Sequence, residues 1–126
     1  MKLVLDSGAL IALERNARAM WRRYKAAHLA GEVPASHGGV VGQVWRGRGP
    51  RQALLAKALA GVDVRPLDNA LGRAAGELLA LGKSHDVIDA ALALLAEDGD
   101  LIVTSDPEDL QPLVVALGRH VELIPA

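Results

Sequence analysis

The 126-residue chain has no cysteine and no phenylalanine, and aromatic residues make up only 2% of it. The lack of cysteine excludes disulfides and thiolate zinc sites, and a reducing cytosol requires neither, so the cytoplasm is the expected location. With only Trp21, Tyr24 and Trp45 as aromatic side chains, the core has to be assembled from Leu, Val, Ile and Ala. Hydrophobic residues, at 51% of the chain, make that core ample. No run approaches the roughly 18 apolar residues of a membrane span. The apolar opening "MKLVL" meets Asp6 before a signal-peptide core can form. A chain of this length fits one domain with a single core, residues 1–126.

What the sequence does have is charge, unevenly distributed. The net charge of −1 hides a basic segment and an acidic one. From Arg15 to Lys57 the cations include Arg18, Arg22, Arg23, Lys25, Arg46, Arg48 and Arg51, against Glu32 alone. From Lys83 to Asp109 the acids are Asp86, Asp89, Glu97, Asp98, Asp100, Asp106, Glu108 and Asp109, against Lys83 alone. Folded together, the two segments put a basic rim around an acidic centre, which suits a polyanion held over bound cations. Taken singly, each charge is as readily a solvated position on a helix face.

The apolar residues follow two patterns. "KLVLD", "VDVRPL", "LIVTS" and "HVELI" are short β-compatible runs, the first without alternation, as in strands buried on both faces of a parallel sheet. "EVPAS" is a further short strand or an extended link. Helices are predicted over "ALIALERN" after Ser7 and Gly8, "ARAMWRRYKAAHLA" up to Gly31, "GGVVGQVW", "RQALLAKALAG", "DNALGRAAGELLALG", "DVIDAALALLAEDG" and "PEDLQPLVVALG". The Gly and Pro of "RGRGP" separate the third from the fourth, Asp68 is placed to cap the fifth, and Pro107 opens the last. This alternation predicts an α/β domain with a central, mainly parallel sheet of about four to five strands flanked by helices.

In open parallel sheets functional groups gather at the carboxyl ends of the strands, where the strand order reverses. Asp6 ends the first strand and Asp106 follows "LIVTS", so the two meet there if those strands are neighbours. Asp106 is also a ready N-cap for the helix opened by Pro107, with Glu108 and Asp109 in the first turn. Asp86 and Asp89, three residues apart, share a face near the positive end of a helix. The helix dipole accounts for either alone. It accounts less well for Asp89 among Val87, Ile88, Ala90 and Ala91, where an unpaired charge is at risk of costly burial. A cation removes that cost. Convergent Asp side chains without His or Cys select a hard ion, Mg²⁺ or Mn²⁺, which takes about six oxygen ligands.

These residues resemble the PIN-domain ribonucleases, and especially the VapC-type toxins of bacterial toxin–antitoxin pairs. "LVLDSGAL" is similar to the family's opening strand and first acid, "DVIDAALALLA" to its acid-led helix, and "LIVTSDPEDL" to its strand ending in T-x-D. The resemblance runs along nearly the whole chain and rests on the order and spacing of the three motifs. It implies a single PIN-like domain and a metal site of Asp6, Asp86 and Asp106, with Asp89 or Asp109 as accessory acids. Ser7 and Ser105 would orient the carboxylates or bind phosphate. It also implies an RNA substrate, a small antitoxin protein that blocks the site, and self-association, as in a dimer. One departure is Gln43 in "GGVVGQVWRG", where the family usually has glutamate. The amide oxygen can ligate but brings no charge, which puts a second metal in doubt. Asp89, one turn from Asp86, is placed to supply the missing charge, whereas Glu14 lies more than two turns beyond Asp6.

On this reading a bound divalent cation activates water and polarises the scissile phosphate, while Arg46, Arg48 and Arg51 grip flanking phosphates without reading sequence. Trp21, Tyr24 and Trp45 belong to the core or to an apolar groove for a partner helix more readily than to a stacking platform. His37 and His85 flank these stretches, but a metal-activated water needs no imidazole base. The alternative is a catalytically weakened PIN-like module that binds RNA or protein, motivated by Gln43. Phosphoryl transfer on an aspartate is disfavoured. Haloacid dehalogenase-like phosphatases need an acid where Gly8 stands, and receiver domains need a lysine that "TSDPED" does not offer.

Overall fold

The shortest apolar runs become the sheet. In the computed structural model, which describes residues 1–126, the strands are β1 (Leu3–Leu5), β2 (Ala35–His37), β3 (Asp63–Arg65), β4 (Leu101–Thr104) and β5 (Glu122–Pro125). They form one sheet in the order β3-β2-β1-β4-β5, and every pairing is parallel. The helices are α1 (Ser7–Glu14), α2 (Arg18–Leu29), α3 (Gly38–Val44), α4 (Pro50–Leu59), α5 (Asn69–Gly82), α6 (Val87–Leu95) and α7 (Pro107–Leu117).

Central β1 is wholly buried, as an apolar run without alternation requires, and pairs with β4 in the register Leu3↔Leu101, Val4↔Ile102, Leu5↔Val103. β3 is the opposite case: all three of its residues are exposed, and Arg65 pairs with Asp63 at 2.9 Å on this open edge. Charge on a three-residue edge strand discourages pairing with another chain. The core is aliphatic throughout, its largest fully buried side chains including Leu5, Leu10, Leu13, Leu55, Leu92, Ile102, Leu110 and Leu113. Tyr24 joins that core, and Trp21 is partly buried against it.

The elements match the sequence expectation to within a few residues, and local interactions account for the start of α1 and the ends of β2 and α6. α1 begins at Ser7 because the Asp6 carboxylate accepts from the Ser7 amide (2.8 Å). β2 runs on to His37, past "EVPAS", because His37 is fully buried and itself caps α3 by accepting from the Gly39 amide (3.1 Å). α6 stops at Leu95, short of "AEDG". There Gly99 takes φ +90°, and the Asp100 carboxylate accepts from the Glu97 amide (2.8 Å), folding a tight turn into β4.

The chain leaves β1 through α1 and α2 to reach β2 on one side, and returns from β3 through α5 and α6 to β4 on the other. The order therefore reverses between β1 and β4. That crevice, at the carboxyl ends of the strands, is where such sheets carry their sites.

Candidate active site at the carboxyl edge of the sheet

Asp6 stands at this crevice, only 5% exposed. One oxygen, Oδ1, accepts from the Ser7 amide, and the other, Oδ2, accepts from the Thr104 hydroxyl at 2.8 Å. Thr104 Oγ1 in turn accepts from the Asp106 amide at 2.9 Å. The threonine of T-x-D thus ties Asp6 to the backbone of Asp106, and its own bond to Asp6 spans a sequence separation of 98 residues. Gly8 makes the junction possible, since a Cβ there would collide with Ser105 Oγ. Ser7 is partly buried and Ser105 exposed.

The sequence left Asp106 between cap and ligand. It occupies the N-cap position of α7, but its side chain makes no capping hydrogen bond. The carboxylate is exposed and not engaged by the helix it precedes. Asp86 goes the other way. It is the N-cap of α6, and its Oδ1 accepts from the amides of Ile88 (2.9 Å) and Asp89 (3.1 Å). Asp86, expected in the metal set beside Asp6 and Asp106, thus also caps α6 through one of its two oxygens.

Asp89 is partly buried in the first turn of α6. Its carboxyl is pushed up from 3.8 to about 7, first by burial and then by the like charges of Asp86, Asp6, Asp109 and Asp106. Every acid that the sequence singled out bears on this one side chain. Beside it, a cleft of about 390 Å³ opens between the α5–α6 turn and α7, lined among others by Asp86, Asp89, Glu108, Asp109, Lys83 and His85.

His37 fixes where α6 begins. Its ring is 0% exposed. Nδ1 accepts from the Gly39 amide, which leaves Nε2 to carry the proton and donate to the Ile88 carbonyl (2.9 Å). The end of β2 is thereby bonded to the residue before Asp89. Nothing in the sequence marked this role.

The remaining candidates divide. Gln43 is exposed on α3 and takes part in hydrogen bonding through its backbone carbonyl, which accepts from Arg46 (3.2 Å). Arg46, expected on phosphate, folds back onto the end of α3, donating to the carbonyls of Gly42 (3.2 Å), Trp45 (2.7 Å) and Gln43. Unsatisfied helix-end carbonyls attract a cation in this way. Arg48 and Arg51 are exposed and form no ion pair. The "RGRGP" loop is itself held by buried Gln52, whose Oε1 accepts from the amides of Arg46 (2.8 Å) and Gly47 (3.0 Å) and whose amide donates to Glu14.

As they stand, no three Asp, Glu or His side chains gather closely enough to enclose one cation. The chemistry of the donor set nevertheless fits a hard divalent ion. The donors are oxygen throughout, and Asp89 sits in a field of like charge that a cation relieves.

Fold and edge together define the class: a PIN-like α/β domain, five parallel strands with acids at the switch point. Among solved structures the chain is similar to VapBC2 from Rickettsia felis bound to a DNA fragment from their promoter, with a TM-score of 0.71 at 11% identity, covering 100% of this chain and 99% of that one. Compared as a sequence, the chain matches no family model and no curated protein.

Proposed function

We propose that the protein is a divalent-metal-dependent endoribonuclease that hydrolyses RNA phosphodiester bonds and serves as the toxin of a toxin–antitoxin pair. The observation that carries this reading is the convergence of like charge on Asp89, whose carboxyl is held near 7 by burial and by Asp86, Asp6, Asp109 and Asp106. Such a field is unfavourable for a free-standing fold and favourable for a site that takes up a cation. Asp6, Asp89 and Asp106 would hold Mg²⁺ or Mn²⁺, with Asp86 and Asp109 adding charge at its border. The ion supplies Lewis acidity toward a phosphate oxygen and acidifies water.

The chain's own residues do the rest. Thr104 and the Ser7 amide fix both oxygens of Asp6, so this carboxylate enters the reaction already oriented. His37 holds the first turn of α6, and with it Asp89, against the end of β2. Arg48 and Arg51 supply unpaired charge for flanking phosphates. The partner reading rests on the sequence resemblance and on the likeness in fold to VapBC2, whose structure was determined on promoter DNA. By the sequence resemblance an antitoxin would cover the site.

Incubating the purified protein with a mixed RNA pool, with and without Mn²⁺, beside Asp6→Asn and Asp89→Asn, tests the proposal. Metal-dependent cleavage by the wild type and a loss of at least about 100-fold in each variant is the expected result; full activity in Asp89→Asn would overturn the assignment. The uncharged Gln43 and the open spacing of the acids favour a second reading, a PIN-like module that binds RNA without efficient turnover. RNA binding with no cleavage at saturating Mn²⁺ would select it.

A further inference from the structure

A cleft larger than the one at the acids lies elsewhere on the molecule. It is an open cleft of about 620 Å³ between α2, the turn before it and α4, lined by Arg18, Arg22, Lys25 and Lys57 together with Asn16, Trp21, Tyr24 and Leu54. No acid lines it. The chain's ion pairs are Met1 with Glu32, Lys2 with Asp100 and Arg65 with Asp63, so all four cations of the cleft are unpaired. All four are also exposed, and α2 itself carries no acid to offset them. Like charges gathered without partners do nothing for the fold. Between them lie two rings whose polar tips are tied inward: Trp21 Nε1 donates to the Leu13 carbonyl (3.1 Å) and the Tyr24 hydroxyl to the Ala58 carbonyl (2.9 Å). Tyr24 is almost fully buried, so the ring surface left toward the cleft is mainly that of partly buried Trp21.

We propose that this cleft seats the sugar–phosphate backbone of a single-stranded RNA segment leading away from the acidic edge, an inference that rests on the nuclease reading above. Arg18, Arg22 and Lys25 recur at i, i+4 and i+7, forming one row along α2 with steps of about 6 and 4.5 Å. Successive phosphates of an extended strand can follow such a row, with Lys57 lining the cleft from α4. α1 links this cleft to Asp6. Asp6 caps the start of α1 and Asn16 follows its end, and the eight residues of α1 span about 12 Å. The cleft therefore begins about one short helix from the acids. A strand held at the acids reaches the cleft within a few nucleotides. The ring surface between the cations suits bases or riboses.

The test measures binding of fluorescein-labelled single-stranded RNAs of 4 and 12 nucleotides in EDTA, to wild type and to Arg22→Ala/Lys57→Ala, with circular dichroism confirming that the variant is folded. For the 12-mer we expect a loss of about tenfold at low salt in the double variant, and a salt slope shallower by about 1.4, at about 0.7 per phosphate contact on a single strand. The 4-mer, too short to span site and cleft, is expected to bind both proteins alike. If the wild type binds and cuts RNA while the double variant keeps the affinity and salt slope of the 12-mer, the cleft assignment fails and the nuclease reading survives. If the wild type binds no RNA, both fall. If poly-glutamate of matched charge displaces the 12-mer as well as unlabelled RNA does, the cleft is a seat for an acidic polypeptide and the proposal is overturned.

Discussion

At the residue scale the site depends on a few side chains that are not acids. Thr104, 1% exposed, donates to one carboxylate oxygen and accepts from one amide. Thr104→Val removes the hydroxyl and leaves Asp6 Oδ2 buried without its donor, at a cost of about 1–3 kcal/mol. Urea unfolding is expected to show that loss and to show most of it recovered in Thr104→Ser. Gly8→Ala is a second case. The added Cβ meets Ser105 and, through its side chain and backbone, the end of β4. A destabilisation of about 1–3 kcal/mol is expected from such overpacking, measurable as a lowered Tm. Asp6 was readable as a residue of the sheet's carboxyl edge from its place at the end of an apolar run. Thr104 was visible only as a letter in T-x-D, and His37 was set aside because a metal-activated water needs no imidazole base. Both act through atoms brought from far along the chain, so no local pattern marks them.

At the scale of elements, helix starts and the acids are the same positions read twice. Asp6, Asp68 and Asp86 all accept from first-turn amides, while Asp106 occupies the equivalent place without doing so. Asp86 and Asp106 therefore respond differently to substitution. Asp86→Asn keeps a good cap and is expected to leave the Tm nearly unchanged, whereas Asp86→Ala loses about 1 kcal/mol. If the role of Asp86 is mainly the cap, Asp86→Asn also retains RNA cleavage within a few-fold; a loss as large as that of Asp89→Asn would return Asp86 to the ligand set. Composition and period revealed all seven helices and four strands, with ends shifted by a few residues, and left β2 open between a short strand and an extended link. The sequence could not tell a capping Asp from a free one, because both choices satisfy the same preference. Only hydrogen-bond geometry separates them. Arg46 shows the same limit: its charge was legible, but its use on the end of α3 follows from the way the loop folds over Gln52.

At the scale of the whole molecule the charge split becomes a pH dependence. Asp89 titrates at about 7 folded against an ordinary 3.8, so between these values the native state holds a proton that the unfolded chain has released. Its contribution therefore favours the fold at low pH, declines as pH rises from about 4, and is lost above about 7. Asp100 has the opposite sign. Burial pushes its carboxyl up, but the amides of Lys2 and Glu97 and the Lys2 ammonium outweigh burial and hold it below the usual range. Its contribution is present above 3.8 and is lost as pH falls through its lowered value. In EDTA, stability by urea unfolding is expected to peak in mildly acid solution and to decline toward pH 8, and Asp89→Asn is expected to flatten the decline. Mn²⁺ is expected to raise the Tm more at pH 8 than at pH 5.5, since deprotonated carboxylates bind the ion. Equal shifts at both values would argue against a carboxylate site.

The sequence alone determined the alternation of strand and helix, the aliphatic core and the identity of the acids, because period, volume and charge are properties of residues and their near neighbours. The tertiary structure decided that the sheet is parallel throughout, that β1 lies beside β4, that Asp89 stands at the centre of the charge, and that four basic side chains share one unpaired cleft. Those outcomes depend on contacts between segments far apart in the chain, such as the Leu101 amide with the Lys2 carbonyl. Electrostatic coupling is set by distance in space and by the water excluded from between the charges, and neither quantity is written in the order of the letters.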